Sequence, residues 1–116
     1  MKPGKQLLYE ALTSATVSGL VGGRIYHHHP PKEPALPLIT YRQVAGTVDT
    51  ADGAPAFARS RIEVKIWGQG GLEDIAMAVL SAVANLPCRM VSDVDLYDYD
   101  LMCRVKAVDF EVFSPL

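Results

Sequence analysis

Only two cysteines, Cys88 and Cys103, occur in 116 residues. That is too few for a disulfide scaffold, and neither forms a CxxC pair or has a histidine nearby to suggest zinc. Both read as small buried hydrophobes. No apolar run approaches the roughly 20 residues a membrane-crossing helix needs, and Met1-Lys2-Pro3-Gly4 lacks the basic-then-apolar plan of a secretory leader. The expectation is a protein that stays in the cytoplasm where it is made, without a membrane partner. Net charge is only -2 with histidine neutral, so the long-range field favours neither nucleic acid nor acidic lipid as a partner. Catalytic signatures are missing too. There is no G-x-S-x-G elbow, no Gly-Lys-Ser/Thr after a glycine-rich run, and no His close in sequence to either cysteine. The chain reads as a non-enzyme with no cofactor and no metal site. With 49% hydrophobic and 21% charged residues, residues 1–116 fit one globular domain able to bury roughly 65% of its unfolded surface.

The order of elements between Leu7 and Tyr41 is the most informative feature present. Leu8, Leu12 and Ala15, with Ala11 beside them, recur at three- and four-residue steps, which predicts an amphipathic helix from about Lys5 to Thr16. Gly22-Gly23 then supplies two residues that take positive φ without steric cost, so a helix can end there and the chain can reverse. Pro30, Pro31, Pro34 and Pro37 hold the next stretch extended, because each fixes its own φ and keeps its predecessor out of the helical region. Leu38-Ile39-Thr40-Tyr41 is delivered as a strand.

Arg59 to Trp67 alternates, with Ile62, Val64 and Ile66 on one side and Arg61, Glu63 and Lys65 on the other, as a half-buried strand does. Gly68-Gln69-Gly70-Gly71 breaks it. A second helix follows on Leu72, Ile75, Ala76, Val79, Leu80, Val83 and Leu86, with Glu73 and Asp74 at its positive end and Pro87 closing it. Met90, Val94 and Leu96 suggest a third strand, with Ser92 on the same side. In the last strand Cys103, Val105 and Ala107 point inward, and then Val108, Phe110 and Val112 do. The phase slips by one residue, and a β-bulge near Ala107-Val108 is the economical expectation. The predicted fold is therefore α+β, in the order α-β-β-α-β-β: about four antiparallel strands in two layers, with both helices on one face. The other face is expected to carry Arg61, Glu63, Lys65, Trp67, Arg104 and Lys106. Ala45 to Ala58, rich in small and turn-forming residues, reads as a long hairpin loop forming a mobile arm, and loops of more than roughly 12 residues are usually functional or disordered.

Several chemical readings compete with structural ones. In an extended chain only His27 and His29 of the three consecutive histidines share a face, and no third ligand is placed by spacing, so surface histidines are preferred to a metal site. Asp93, Asp95, Asp98 and Asp100 fail the calcium-loop template, with Asp98 where glycine belongs and Arg104 where the closing glutamate belongs. A charge run that protects a sheet edge accounts for them better. A phosphate at Gly68–Gly71 would be repelled by Glu73 and Asp74. Arg59, Arg61, Lys65, Arg104 and Lys106 with Trp67 would make a basic aromatic face, but net charge and the lack of an RNP-like strand oppose nucleic-acid binding. After Asp74 the second helix has no charge through Leu86. Its outer face of Met77, Ala78, Ser81, Ala84 and Asn85 either packs on the first helix or meets another subunit.

Leu20-Val21-Gly22-Gly23-Arg24-Ile25-Tyr26, the proline stretch before a strand, the long hairpin, the second helix and the closing hairpin from Tyr97-Asp98-Tyr99-Asp100-Leu101 into Arg104–Phe110 together resemble the tail completion, or head-tail joining, proteins of tailed phages and prophages. These are related in role to tail terminators. The resemblance spans nearly the whole chain. It implies an α+β subunit, with no catalytic residues, that forms a homo-oligomeric ring, a hexamer, between the tail tube protein and the head connector proteins. It also implies assembly in the host cytoplasm and residence in the virion at the head-tail junction. The residues expected to meet partners are Val48, Asp49, Thr50, Asp52 and Phe57 on the arm, Arg61, Lys65 and Trp67 on the sheet face, and Met77 and Ser81 on the second helix. The competing reading is a stand-alone α+β domain that binds a small ligand or regulates.

Overall fold

Leu8 and Leu12 stand one helical turn apart, as do Val17 and Val21, and all four are fully buried. The computed structural model, which describes residues 3–51 and 53–115, divides them between two helices, α1 (Gly4–Leu12) and α2 (Ala15–Val21). A single helix to Thr16 is not what forms. The Thr13 hydroxyl donates to the Glu10 carbonyl at 2.8 Å, and Ser14 turns extended at ψ 153 before α2 starts. Such local side-chain bonds compete with helix continuation. α2 ends as the glycine pair predicts: Gly22 is left-handed at φ 60, and the Gly23 N–H closes on the Ser18 carbonyl at 2.8 Å.

The chain continues through β1 (Ile25–His27), β2 (Leu38–Ala51), β3 (Ala54–Gly68), α3 (Leu72–Val83), β4 (Cys88–Asp98) and β5 (Cys103–Pro115). These strands form one five-stranded sheet in the order β1-β2-β3-β5-β4. The α+β class holds, but with three helices and five strands, and the sheet is mixed because β1 pairs parallel to β2. Three residues are too few to show a period of two, so β1 leaves no signal in the sequence.

The described residues of 45–58 are strand on both sides of a turn at Gly53 rather than a loop. The β2–β3 ladder runs on through Thr47↔Arg59 and Val48↔Ala58 to Ala51↔Ala54. The composition is poor for a strand, but β5 accompanies β3 as far as Phe57↔Pro115, and pairing context overrides propensity. Register shifts between Gln43 and Ala45 and between Asp49 and Thr50 interrupt the ladder. At roughly 3.3 Å per residue, the 15 residues of β3 account for the longest dimension of the molecule, 50 Å.

The helices cover one face. Their core partners are Ile39, Ile62, Val64, Ile66, Val108, Phe110 and Val112 from the sheet and Leu72, Ile75, Ala76, Val79 and Val83 from α3. α1 comes close because Gly4 has no side chain: a Cβ there would lie 3.1 Å from the Cβ atoms of Ser60 and Val112. α3 ends at Val83, and Ala84–Pro87 form a turn.

The phase slip in β5 has a different cause from the expected bulge. Its register with β3 is unbroken from Arg104 to Pro115. Val108, Phe110 and Val112 enter the helix-side core, while Cys103 and Val105 enter a second cluster on the opposite face with Leu38 and Trp67. Tyr26, Leu36 and Leu101 cover that cluster. One strand of unbroken register thus has two buried faces in succession. The bulge lies in β4 instead, where the register slips between Met90 and Ser92. It turns Ser92, Val94 and Leu96 to the open face, which resolves the misfit of Ser92.

Candidate functional site

Cross-strand partners share a face, and this fixes what the open side of the sheet presents. Arg61 sits opposite Glu111, Glu63 opposite Asp109, Lys65 opposite Ala107 and Trp67 opposite Val105. Arg104 and Lys106 pair with Gly68 and Ile66 and therefore face the helix side, contrary to the expected grouping. A basic aromatic face, which the net charge argues against, does not assemble. The cations on the open face are matched by carboxylates: Arg61 to Asp109 at 2.9 Å, Arg59 to Glu111 at 3.9 Å, Lys65 to Glu63 at 3.8 Å and the neighbouring Arg42 to Glu63 at 3.0 Å.

Toward the β4 side this ion-paired surface gives way to an apolar one. Trp67 is 8% exposed, its indole N–H donates to Thr40 Oγ1 at 3.0 Å, and the Lys65 ammonium lies 5.7 Å from its ring centroid. A shallow groove of 340 Å³ runs from Lys65 and Trp67 past Leu96 and Val105 to Tyr97 and Tyr99. A second groove of 460 Å³, between β4 and the glycine loop before α3, shares Leu96, Tyr97 and Val105. Val94 and Leu96 are 46% and 48% exposed, and Tyr99 is 78% exposed. Tyr97 and Tyr99 meet edge-on at 4.9 Å. The turn that carries them is held by Asp98, whose carboxylate accepts the Asp100 and Leu101 N–H groups at 2.8 and 3.2 Å.

Lys106 organises the helix side of the same edge. Its side chain is 8% exposed and lies 3.0 Å from Asp93, 3.2 Å from Glu73 and 3.3 Å from Asp95. Hydrogen bonding to Asp93, outweighing burial, and then to Glu73 and Asp95 holds the ammonium well above the usual lysine range. A group whose folded pKa is raised stabilises fully below its unfolded value and loses that contribution as pH rises through the folded value. Lys106→Met keeps the buried stem and removes the charge. Because Glu73 and Asp95 are mostly solvated, the expected loss at pH 7 is about 1–2 kcal/mol by urea unfolding. The gap from the wild type should narrow above pH 10.5, the ordinary lysine value. A gap that stays constant to pH 12 would refute this role.

The expected interface residues are spread over three surfaces. Arg61, Lys65 and Trp67 lie on the open sheet face. Met77 and Ser81 are exposed on α3, so that side of the helix is not consumed by α1. Val48 is exposed on the arm, whereas Asp52 and the side chains of Asp49, Thr50 and Phe57 lie outside the described residues. The apolar side chains of β4 and its turn belong to none of the expected sets. Their signal was the Asp-Val-Asp-Leu-Tyr-Asp-Tyr-Asp run itself, where acid and apolar residues alternate on a strand that the sheet order makes an edge.

The histidines do not converge. His27 packs on Tyr41 at 5.2 Å and on His28 at 4.3 Å, and His28 takes φ 76, which breaks the extended run. Among the described residues no group of three or more His, Cys, Asp or Glu side chains is placed to hold a metal ion. Cys103 is buried and Cys88 half-buried, and burial pushes both thiols up. No helix among the described residues is long and apolar enough to cross a membrane.

A family model described as tail completion protein gp17 matches residues 5–113. Among solved structures, a chain of a virion of the native gene transfer agent (GTA) particle superposes with a TM-score of 0.70, covering 97% of this chain and 94% of that one at 13% identity. At that identity the likeness is one of fold. No curated protein sequence matches the chain.

Proposed function

This chain belongs to the tail completion protein gp17 family, and from that premise we propose that its copies associate into a ring that ends the tail at its head-proximal side and presents a surface to the head connector. Six copies is the ring size that the resemblance implies. The single observation that carries the reading is the distribution of exposed apolar side chains: Val94, Leu96, Tyr97, Tyr99 and Met102 on β4 and its turn, Val44 and Val48 toward the arm, and Met77 on α3. Exposed apolar side chains of this kind are what neighbouring subunits cover in an assembly. Its placement on separate sides of the molecule suits a subunit with several different neighbours. The role is structural, and assembly rather than bond-making is its chemistry.

The test supplies purified protein to tails that lack it. Electron microscopy should show a ring at one tail end, and those tails should then join heads. Tails that join heads equally well without the protein would overturn the reading. The two grooves that meet at Leu96, Tyr97 and Val105 favour a second reading, a small ligand held on the open face. Thermal shift with a metabolite library, read alongside the tail assay, separates the two.

A further inference from the structure

The two edges of the sheet are opposite in chemistry. β1 with its flanking residues, Arg24 to Lys32, contains three histidines and two cations and no carboxylate; the second half of β4 with its turn, Asp93 to Asp100, contains four aspartates and, unlike the start of the strand at Arg89, no lysine or arginine. The sheet order makes β1 and β4 its two terminal strands. Acidic residues along an edge deter indiscriminate strand pairing, and a partner edge of the other sign removes that barrier selectively.

Register sharpens the match. One row of cross-strand partners runs His27, Tyr41, Val64, Val108, Asp93, and the row beside it runs Tyr26, Thr40, Lys65, Ala107, Val94. Each row begins on β1 and ends on β4 at the same height. The strand directions also agree: β1 runs with β2, and the three antiparallel pairings that follow leave β4 antiparallel to β1. A second copy rotated about an axis along the strands would therefore set its β1 antiparallel to β4 of the first. Such a head-to-tail contact is heterologous, and closes into a ring when the rotation divides a full turn.

Resting on the ring reading above, we infer that the β4 edge of one subunit takes the β1 edge of the next, with the next copy's His27 beside Asp93 and its Tyr26 beside Val94. The half-exposed Val94 and Leu96 are covered in this contact, and Asp93, whose carboxylate also faces Lys106, meets His27. β1 is only three residues long, so the backbone ladder is short and side-chain complementarity supplies most of the specificity.

Oxidative cross-linking of the full chain at ring-forming concentration tests the geometry. The double variant His27→Cys/Asp93→Cys should give a ladder of multiples. Each single variant should give no more than the wild type, whose own thiols are buried or half-buried, and an equimolar mixture of the two singles should stop at a dimer. Tyr26→Cys/Val94→Cys repeats the experiment on the other face, so that a folding defect in one pair does not decide the matter. Raising salt from 0.05 to 0.5 M, roughly a threefold drop in Debye length, should weaken association of the wild type by about tenfold. A dimer from Asp93→Cys alone would mean that two β4 edges meet and would overturn the inference. So would rings that form normally while neither double variant cross-links, an outcome that leaves the ring reading standing. Absence of rings on tails would sink both.

Discussion

Phe110→Ala is expected to lower the unfolding free energy by about 3–5 kcal/mol. The ring is 1% exposed and lies on β5 between Ile62 of β3 and Met90 of β4. It belongs to the cluster that α1, α2 and α3 close from above. Removing it leaves a hole bounded by a sheet on one side and helices on the other, and neither layer can collapse into it without breaking its own hydrogen bonds. Val105→Ala, on the same strand but in the small cluster with Leu38, Trp67 and Cys103, should cost roughly 1–2 kcal/mol, since fewer atoms are lost. Urea unfolding of both variants checks the difference. Equal losses at the two positions would contradict the division of β5 between a large core and a small one.

That division also explains which parts of the fold were legible in the sequence. β3 is buried on one side along the stretch from Arg61 to Lys65, so its alternation of charged and apolar residues maps directly onto the sheet. α3 shows its core stripe for the same reason. β5 does not follow a single pattern, because a period-of-two reading assumes one buried face and this strand has two in turn. Lys106 was placed with the solvated charges by its chemistry, yet its row belongs to Ile66, and three carboxylates around it offset its burial. The arm was legible as a hairpin but not as strand, since its small residues signal turns and only the accompanying β5 supplies the pairing. At the site, Trp67 and Lys65 could be found from their place among alternating charges. The aspartate run of β4 was legible as the protection of a sheet edge, and β4 is a terminal strand, but the exposed apolar side chains between the aspartates were not, because the sequence does not show which side of that strand the fold leaves uncovered.

Replacing residues 48–58 with Asn-Gly, joining Thr47 to Arg59, should leave the fold intact and abolish tail completion. Thr47 and Arg59 are already cross-strand partners, and a two-residue Asn-Gly turn suits the twist of such a pair. Among the described residues the helix-side cluster contains none between 48 and 58, so urea unfolding of the shortened protein should stay within about 1 kcal/mol of the wild type, as changes outside a core usually do. Function should respond very differently. A hairpin that prolongs the sheet past the described core residues, with Val48 more than half exposed, suits a segment whose contacts lie on another molecule. If each subunit draws even about 3 kcal/mol from that contact, its loss weakens every junction by roughly 100-fold, and a closed ring needs all of its junctions at once. The measurement is the fraction of tails that acquire a ring and join heads when given the shortened protein. Joining at the wild-type level would show that the arm is a passive extension of the sheet and that assembly depends on its edges and the outer side of α3.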